Sequence, residues 1–544
     1  MTFDATQSLP GNRARHLPAL IAIVLITAVA FRGVLHNEFV SWGDETELVN
    51  NTRYQGFTQQ NLEWMFTSIH MGHWQPLTWL TFALDYSIWG VNARAYHFTS
   101  LALHVASSIA AYFLILELLR CADVRAVGRA QWIALTCAAA AGALLFAVHP
   151  LRVEPVAWAS ERRGVLSGLF YVLCVWCYLR YVAHNEETAA PAHRDARLPK
   201  PDGVLAHRFY LLSIGCLALS LLAKEFSISL PIVLLLIDLY PLRRLHNIAG
   251  GQIWELVREK IPFFALAAVV AFIAVFSSAK SGVAKSMTDY GLAERLAQCG
   301  WGLAFYPIKT LIPVNLSPLY PIPLNLNPAD WRYVISAAAA VGVTIFLIAQ
   351  RRRWPALLIL WACYVVIVLP VLGLTQTGRQ IAADRYTYLP GVGLSALLAW
   401  ALYRAWKPNV PAAARAVSAI ALVAAIIALT LGTRQQVTRW RESLSLWTHA
   451  HSLYPNDAAI NNNLGVALGK QEQFEAAASH FLTAIANDPN FIDAHNNFGT
   501  IFAMQNRLDE AIQQWNASLQ IKPDQPEVQN NIEQARLMLR QPRD

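Results

Sequence analysis

Long apolar stretches alternate with short charged segments from the start of the chain to about residue 432. Each stretch is close to twenty residues, the length at which a helix crosses the hydrocarbon core of a bilayer. A further stretch, 296–313, contains Pro307 and Lys309, so we expect it to lie at the membrane interface or to re-enter. We therefore predict eleven membrane-spanning helices, at residues 17–35, 97–119, 130–148, 164–182, 208–223, 226–240, 261–277, 332–350, 355–374, 388–404 and 413–432.

Basic residues predict the orientation of these spans, because short cytoplasmic loops are enriched in Lys and Arg. If the N-terminal segment 1–16 is cytoplasmic, so are the loops after spans two, four, six, eight and ten. Each of these loops is basic, and their residues include Arg120, Arg125, Arg129, Arg194, Arg197, Lys200, Arg208, Arg243, Arg244, Arg258, Lys260, Arg351, Arg352, Arg353, Arg404, Lys407 and Arg415. The non-cytoplasmic face then carries everything after residue 432 and the loops 36–96, 149–163, 223–225, 278–331 and 375–387.

Residues 433–544 follow a different pattern, with a period of 34 residues that is typical of tetratricopeptide repeats. Leu464-Gly465 recurs as Phe498-Gly499, for example. We predict a half repeat, then full repeats at 458–491 and 492–525, and a capping helix at 526–540. The predicted fold class is therefore all-α, a transmembrane domain at 17–432 followed by an α-solenoid. Such repeats bind peptides or proteins, or have a purely structural role.

Composition agrees with a membrane protein. The chain is 55% hydrophobic and 14% charged, whereas soluble domains carry about 25% charged residues. Its net charge is +8, and many of its basic residues lie in the predicted cytoplasmic loops. The chain has no run of Lys and Arg with interleaved aromatic residues, so we do not predict a nucleic-acid partner. Cys174 and Cys177 lie inside an apolar helix, so we interpret them as buried small side chains rather than a redox or zinc pair. The first apolar segment lacks a small-residue cleavage site, so we predict an uncleaved anchor.

The first outer loop, 36–96, carries two adjacent acids, Asp44 and Glu45, just beyond the first span. A carboxylate there could take a proton from a hydroxyl that attacks an activated sugar. It could instead help to hold a divalent cation. A third interpretation is an acidic turn in solvent that caps a helix, and spacing alone leaves all three open.

More ionisable and aromatic side chains lie at the outer ends of the predicted spans. Ionisable residues there are costly in an apolar protein and so are functional candidates. The cations Arg162, Lys224 and Arg385 could converge on one pocket and stabilise the charge that grows on a phosphate leaving group. Alternatively, the charges at 224–225 and 384–385 are simple pairs near lipid headgroups. The other candidates are Tyr96, His97, His149, Glu154, Glu225, Asp384 and Tyr388.

Several segments of the chain, named at the end of this paragraph, resemble known motifs in both sequence and order. The motifs are those of the transmembrane and tetratricopeptide-repeat O-mannosyltransferases and related bacterial proteins of the C-type glycosyltransferase superfamily. The resemblance covers nearly the whole chain. Three positions depart from the family pattern, since Glu45 stands for an aspartate, Gln75 for an arginine and Gly164 for an acidic residue. The matching segments are Asp44-Glu45 with Asn50-Asn51, Gln75-Pro76-Leu77-Thr78, Tyr96-His97, His149-Pro150 with Glu154, Arg162, Lys224-Glu225, and Asp384-Arg385 with Tyr388-Leu389-Pro390.

The resemblance implies an inverting membrane enzyme. It would transfer a sugar, often mannose, from a polyprenyl- or dolichyl-phosphate carrier to a hydroxyl on protein or glycan. It implies that Asp44 acts at the reacting centre with help from Glu45, and that the three cations bind the donor phosphate. A divalent cation is left open and no other cofactor is implied. The repeats would dock the acceptor, in the periplasm of a bacterium, which we favour, or in the endoplasmic reticulum of a eukaryote.

Two other classes of protein stay open. An oligosaccharide ligase or polymerase would use a lipid-diphosphate glycan, but such proteins carry a large late outer loop with a histidine. The loop 375–387 is short and has no histidine. A non-enzymatic scaffold would recruit partners through its repeats and would not depend on the acid pair. A transporter is disfavoured because no internal inverted repeat is visible.

Overall fold

Residues 15–122, 128–185, 202–244, 250–281, 290–374 and 378–540 are described by a computed structural model. The described chain is almost wholly helical, and its two short strands, β1 (Tyr320–Pro321) and β2 (Gln380–Ala382), pair antiparallel. The α-helices, in chain order, are α1 (Leu17–Phe31), α2 (Gln59–Thr67), α3 (Pro76–Trp89), α4 (Ala93–Ala122), α5 (Arg129–Ala147), α6 (Val153–Ala157), α7 (Arg162–His184), α8 (Gly203–Ala223), α9 (Leu230–Leu239), α10 (Gly250–Ser281), α11 (Leu292–Leu311), α12 (Trp331–Ala349), α13 (Pro355–Val368), α14 (Tyr388–Ala405), α15 (Ala412–Arg439), α16 (Ser443–Leu453), α17 (Ala458–Lys470), α18 (Phe474–Asn487), α19 (Ile492–Met504), α20 (Leu508–Ile521) and α21 (Pro526–Arg540).

Local signals in the sequence start several of these helices. Proline at the first position begins α13, where its missing N–H costs nothing. The side chain of Asp202 accepts a hydrogen bond from the backbone N–H of Val204 at 3.0 Å and so caps α8. Asp457 caps α17 in the same way, through the N–H of Ile460 at 2.9 Å.

Eight helices of the described chain are long and apolar enough to cross a membrane: α1 with its 3₁₀ extension, α4, α5, α7, α8, α10, α12 and α15. They coincide with eight of the eleven predicted spans, and they define a multi-pass membrane protein with the predicted all-α fold class.

The other three predicted spans are helical but shorter or less apolar. Span 355–374 is a shorter apolar helix, Pro355–Val371. Span 226–240 contains α9, which has only ten residues because a 3₁₀ turn at Glu225–Ser229 precedes it. Span 388–404 is α14, and the uncertain stretch 296–313 is α11, with Pro307 inside it.

Several residues on which the predicted orientation rests lie outside the described residues. They are Arg13, Arg125, Arg194, Arg197 and Lys200, together with 282–289 of one predicted outer loop and 375–377 of another. The orientation in the membrane therefore stays a prediction.

The first outer loop folds into a small aromatic layer over the ends of α4 and α7. Leu48, Tyr54, Trp79, Phe82 and Tyr96 are all buried in it. The ring of Tyr54 stacks on that of Trp79 with centroids 5.9 Å apart. This packing holds the loop rigidly against the membrane domain.

Six helices, α16–α21, follow the last long span, and they pack in sequence. Helices α17 and α18 occupy 458–491, α19 and α20 occupy 492–525, and α21 occupies 526–540. Their buried side chains, among them Phe481, Phe498 and Trp515, form a core that continues into the membrane domain. The division into domains at 432 stays a prediction.

The helical tail is held tightly against the first outer loop. The rings of Trp42 and Trp447 pack edge to face at 4.8 Å, and Trp447 is fully buried. The backbone N–H of Ser41 donates to the hydroxyl of Ser443 at 2.8 Å. The side-chain amide of Asn37 donates to the carbonyl of Trp440 at 3.0 Å. We call this boundary the seam.

Gly499 lets the two helices of the second repeat approach closely. A Cβ at this position would lie 2.5 Å from Nε1 of Trp515. We expect Gly499→Ala to lower the free energy of unfolding of the repeats by roughly 1–3 kcal/mol, because the buried indole has no room to move.

Thermal denaturation of the full-length protein in detergent, followed by circular dichroism, measures this effect. Gly342→Ala is the matched control, since a Cβ there would meet nothing within 4 Å. Alanine is favoured over glycine in a helix, so the control should be neutral or slightly stabilising. Equal midpoints for both variants would contradict the proposed close packing.

Candidate active site

One cavity of about 910 Å³ lies where the first outer loop, α10 and the tail meet. Its side towards the membrane is apolar and is formed by α10 residues that include Val270, Ile273 and Ala274. Basic side chains line the cavity as well, namely Arg163, Lys224, Arg379 and Arg385, and the tail contributes Ala459, Asn462, Asn463, Phe491 and Asp493. Because Arg163, Lys224 and Arg385 all lie near Glu161, we call the part of the cavity that they line the cationic end.

Glu161 organises the cationic end. Its carboxylate forms an ion pair with Lys224 and a second one with Nε of Arg163 at 3.1 Å. Its side chain is 0% exposed, whereas those of Lys224 and Arg163 are 12% and 10% exposed. The acid therefore lies behind the two cations and directs their charged ends towards the cavity.

Glu161 is ionised at neutral pH. Burial by itself would raise its pKa, but Lys224, Arg163 and Arg385 together hold the pKa of Glu161 at about 2. Burial lowers the pKa of Lys224, and Glu161 opposes that shift. Each ion thus depends on its neighbour to remain charged in a buried setting.

Arg385 reaches the same end of the cavity from the turn before α14. Its guanidinium forms an ion pair with Glu154, and its backbone N–H donates to the same carboxylate at 2.8 Å. The guanidinium also lies 5.4 Å from the ring centre of Trp158. Despite burial, the adjacent Tyr386, Glu154 and Glu161 raise the pKa of Arg385, which therefore stays charged. Glu154 supports Arg385 as Glu161 supports Lys224.

The structure does not bring Arg162 to the cationic cluster, contrary to its predicted role at the donor phosphate. Its guanidinium is fully buried, pairs with Asp85 at 2.5 Å and donates to the carbonyl of Tyr96 at 2.8 Å. It also lies over the ring of Phe82 at 4.4 Å. Arg162 thus stabilises the packing of the first outer loop. Arg163, one residue later on α7, occupies the cavity instead.

The two predicted catalytic acids point in different directions. Asp44 is fully buried, and its carboxylate accepts backbone N–H groups from Val40 at 3.0 Å and Ser160 at 2.9 Å. Burial raises the pKa of Asp44 to about 7, against the opposing effect of these two hydrogen bonds. Glu45 is half-buried and forms an ion pair with Lys470 of α17 across the seam.

His149 and Asp384, two of the predicted supporting residues, each form hydrogen bonds with other parts of the protein. Nδ1 of His149 accepts the N–H of Leu151 at 3.2 Å, and its Nε2 bonds the carbonyl of Thr310 at 2.9 Å. Burial and Arg152 lower the pKa of His149 to about 3, so it is neutral. Burial raises the pKa of Asp384, whose carboxylate accepts the Tyr320 hydroxyl at 2.8 Å.

The three predicted aromatic residues pack away from the cavity. The hydroxyl of Tyr96 lies 2.9 Å from that of Tyr54. His97 lies 3.4 Å from the carbonyl of Glu38 through Nε2, and the hydroxyl of Tyr388 lies 2.9 Å from Nδ1 of His104. None of the three lines the cavity.

Glu225 does line the cavity. One of its carboxylate oxygens lies 3.3 Å from Nδ1 of His73. Burial opposes its ionisation, but His73, Arg163 and Lys224 keep the pKa of Glu225 below its usual range. It is thus an ionised acid at the cavity wall.

Sequence reasoning missed Arg163, Glu161 and Glu47 as members of the site. Glu47 is buried, accepts the side-chain amide of Gln75 at 3.3 Å and lies 3.8 Å from Arg163. Gln75 in turn accepts from Arg163 at 3.4 Å. In the sequence, the acidic residues of the first outer loop and the run Glu161-Arg162-Arg163 indicated that charged side chains lie here. Neither feature shows which of these side chains faces the cavity.

Gly164, one of the departures from the family pattern, lies against the ion pair of Glu161 and Lys224. A Cβ there would lie 2.8 Å from Oε1 of Glu161 and 3.7 Å from Nζ of Lys224. The bare backbone at Gly164 thus leaves room for the Glu161–Lys224 pair.

In the described residues, no group of three or more His, Cys, Asp or Glu side chains is arranged to hold a metal ion.

Comparisons with known proteins agree with this architecture. A family model of the tetratricopeptide repeat matches residues 480–513. The chain is similar to the human protein O-mannosyl-transferase TMTC3, with 24% identity over 83% of this chain and 48% of the relative. It is also similar to mouse protein O-mannosyl-transferase TMTC4, with 26% identity over 85% of this chain and 66% of the relative.

These relatives confirm the resemblance to O-mannosyltransferases with tetratricopeptide repeats. The chain spans about half the length of the TMTC3 proteins that it matches. A crystal structure of ArnT from Cupriavidus metallidurans bound to undecaprenyl phosphate aligns over 94% of this chain and 80% of its own, with 12% identity and a TM-score of 0.31.

Glu161 should be essential for the stability of the site. We expect Glu161→Gln to reduce the free energy of unfolding by about 3 kcal/mol or more, because it leaves two cations buried close together without their counter-ion. The folded-state pKa of Glu161 is depressed from 4.5 to about 2. Its contribution is therefore present above pH 4.5 and is lost as the pH falls towards 2.

Denaturation of the wild type and of Glu161→Gln at several pH values measures both effects. Glu533→Gln, at an exposed position of α21, is the matched control and should behave as the wild type. If Glu161→Gln were as stable as this control, the carboxylate would not be the organising group.

Proposed function

We propose that this protein is a membrane glycosyltransferase that moves a sugar from a polyprenyl-type lipid phosphate to a hydroxyl group. The observation that carries the proposal is one cavity lined both by basic side chains, among them Arg163, Lys224 and Arg385, and by apolar side chains of α10. A lipid phosphate has the same two parts, a charged head and a hydrocarbon tail. The similarity to protein O-mannosyl-transferases favours mannose as the sugar and a protein as the acceptor.

In this proposal the donor phosphate lies against Arg163, Lys224 and Arg385, with its lipid tail along α10. The acceptor oxygen attacks the anomeric carbon from the side opposite the phosphate and inverts that carbon. As the bond from carbon to phosphate oxygen breaks, the electron pair passes to the phosphate, and the three cations stabilise the added charge. Arg163 takes the role that the sequence suggested for Arg162.

Asp44 is our candidate for the base that receives the hydroxyl proton, and this role requires the acceptor to reach it, because Asp44 is fully buried and is not among the residues that line the cavity. A general base works best when its pKa lies near the working pH, and the pKa of Asp44 is about 7. The alternative is a positioning role, since its carboxylate holds the backbone of Ser160, next to Glu161. Glu45 is proposed to act in the seam, through Lys470, rather than on the substrate.

The site and the repeats are proposed to lie on the non-cytoplasmic side of the membrane. This would be the periplasm of a bacterium or the lumen of the endoplasmic reticulum of a eukaryote. The alternation of basic loops along the chain supports this orientation.

Lys224 provides the first test. We expect Lys224→Met to reduce the transfer of labelled mannose from synthetic polyprenyl-phosphate mannose by a factor of roughly 100 to 1,000, because one preorganised cation is lost from the leaving group. Lys522→Met, at an exposed position after α20, is the control and should transfer at the wild-type rate. A folded Lys224→Met protein with normal transfer would rule out this phosphate site.

A diphosphate-linked donor is included in the same assay. Transfer from the diphosphate carrier alone would favour the ligase or polymerase class. No transfer from either carrier by the wild type would favour the scaffold.

Asp44 is tested by the pH dependence of transfer. If Asp44 is the base, kcat/KM of the wild type rises with pH and levels off above about pH 7, because the carboxylate must be deprotonated. Asp44→Asn should lose a factor of about 100 to 10,000 and also lose that limb of the profile. A residual activity that keeps the same limb would assign Asp44 a positioning role, and unchanged activity would remove it from the mechanism.

A further inference from the structure

Another cavity, of about 810 Å³, lies between the segment around α11 and the beginning of the repeats. We call it the second cavity, and the cavity of the candidate active site the first cavity. One wall of the second cavity is formed by α11, β1 and the first turn of α12, and the other by the turn that joins α16 to α17. Gly378 and Arg379 line both cavities, so the two adjoin at this short segment. The volume is within the range of about 300–1,000 Å³ that is usual for small-ligand sites.

The second cavity lies at the end of a membrane span rather than along it. Of the helices in the described chain that are long and apolar enough to cross a membrane, only α12 contributes to its wall. That contribution is Arg332 and Tyr333, both in the first turn of the helix. The apolar stripe of α10 in the first cavity has no counterpart on a membrane-crossing helix here. A small polar molecule is therefore a better fit than a lipid chain.

Aromatic rings line the second cavity on both sides. Trp301 and Phe305, one turn apart on α11, stack with ring centres 4.5 Å apart, and both are half-buried. The ring of Phe305 also packs edge to face with that of Tyr320 at 4.9 Å. Tyr454 lines the cavity from the side of the tail. These rings present uncharged apolar faces, and the C–H face of a sugar ring packs well on surfaces of this kind.

Four uncharged polar side chains of the second cavity have unused hydrogen-bonding groups. None of them forms a side-chain hydrogen bond within the part of the chain that the structure describes, and they are Asn325, Tyr333, Tyr454 and Asn456. The first two belong to the wall on the membrane side, and the other two belong to the tail. A carboxamide has two donors and one acceptor, and a phenol hydroxyl both donates and accepts. The hydroxyl groups of a saccharide are matching partners for such a set.

The cations of the second cavity already have partners within the chain. Arg379 pairs with Asp488 at 2.8 Å, and Arg332 pairs with the acid that caps α12, also at 2.8 Å. The ammonium group of Lys309 donates to the carbonyl of Val314 at 2.6 Å. Each cation thus has a separate partner, unlike the cations of the first cavity, two of which share one acid. The second cavity therefore suits a ligand without net charge.

We infer that the second cavity is a binding site for a neutral saccharide. An apolar face of the sugar ring lies on the aromatic wall, and the sugar hydroxyls bond to the carboxamides and phenol hydroxyls of the two opposite walls. Because these polar groups come both from the segment around α11 and from the tail, the bound saccharide connects the two. The inference goes beyond the proposed function, since it concerns a different cavity and needs no lipid donor.

Binding is measured by saturation-transfer NMR, with methyl α-mannoside, mannobiose and maltose titrated into the full-length protein. An amine-oxide detergent is used, because maltoside and glucoside detergents carry sugar headgroups that would compete for the site. We expect saturable binding of at least one of these saccharides. Tyr454→Phe/Asn456→Ala should raise its Kd roughly tenfold, since two hydrogen bonds are lost.

The matched control is Tyr86→Phe/Asn530→Ala, which makes the same two substitutions outside both cavities and should leave Kd unchanged. Asn325→Ala tests the opposite wall at an exposed position, and it should raise Kd by a factor of about 2 to 10. It also keeps the test valid if the double variant is unstable. A wild-type Kd for both Asn325→Ala and Tyr454→Phe/Asn456→Ala would overturn the inference, as would the absence of saturable binding of all three saccharides.

Competing probes test the chemical class of the ligand. Inorganic phosphate should not displace the bound saccharide. Displacement that is lost in Lys309→Met would identify an anion site and overturn the inference. So would an unstructured peptide whose binding depends on Tyr454 and Asn456 in a protein that binds none of the saccharides.

The same measurements separate the two cavities. Loss of saccharide binding in Lys224→Met, with normal binding in Tyr454→Phe/Asn456→Ala, would place the sugar in the first cavity and overturn the inference. Saccharide binding with the expected dependence, by a wild type that transfers no sugar from any lipid donor, would support the second cavity and refute the proposed function. Normal transfer by a protein that binds no free saccharide would do the reverse.

Discussion

The buried carboxylate of Glu161 is the interaction on which the site depends. A charge removed from water is very costly unless it is paired at close range, and Glu161 is paired with both Lys224 and Arg163. Its position before α7 brings the start of that helix together with the turn that follows α8. Gly164 leaves the space that this pair occupies. The cations are thereby directed at the cavity by an acid that does not itself reach it.

The seam is the second constraint, because it places the repeats over the same cavity. Packing of Trp42 against Trp447 and the ion pair between Glu45 and Lys470 connect the first outer loop to the tail. On the other side of the cavity, Arg379 pairs with Asp488 at 2.8 Å. The repeats thus form part of the wall of the cavity that Arg163, Lys224 and Arg385 also line. This arrangement gives a repeat domain without catalytic groups a direct part in the proposed reaction.

The acid pair of the first loop shows how neighbours in sequence can diverge in role. Asp44 turns inward and is held by two backbone N–H groups, so burial brings its pKa to about 7. Glu45 turns outward to the seam, where Lys470 is its partner. Glu47, two residues further, turns inward again towards Gln75 and Arg163. Only the fold decides which of these three carboxylates is held by backbone N–H groups, which faces the seam and which lies near Arg163.

The sequence alone determined the all-α class, eight of the spans as long apolar helices, and the period of the tail, because apolar runs and repeats are properties of neighbours along the chain. It also indicated Lys224 and Arg385 as cations of one pocket, since both stand at the outer ends of predicted spans. Tertiary structure decided that Arg163 rather than Arg162 reaches the cavity. Successive residues on a helix point about 100° apart, and the composition of the Glu-Arg-Arg run is the same whichever arginine faces inward. That choice depends on Asp85, which pairs with Arg162 and meets it only after folding, and on Glu161, which pairs with Arg163.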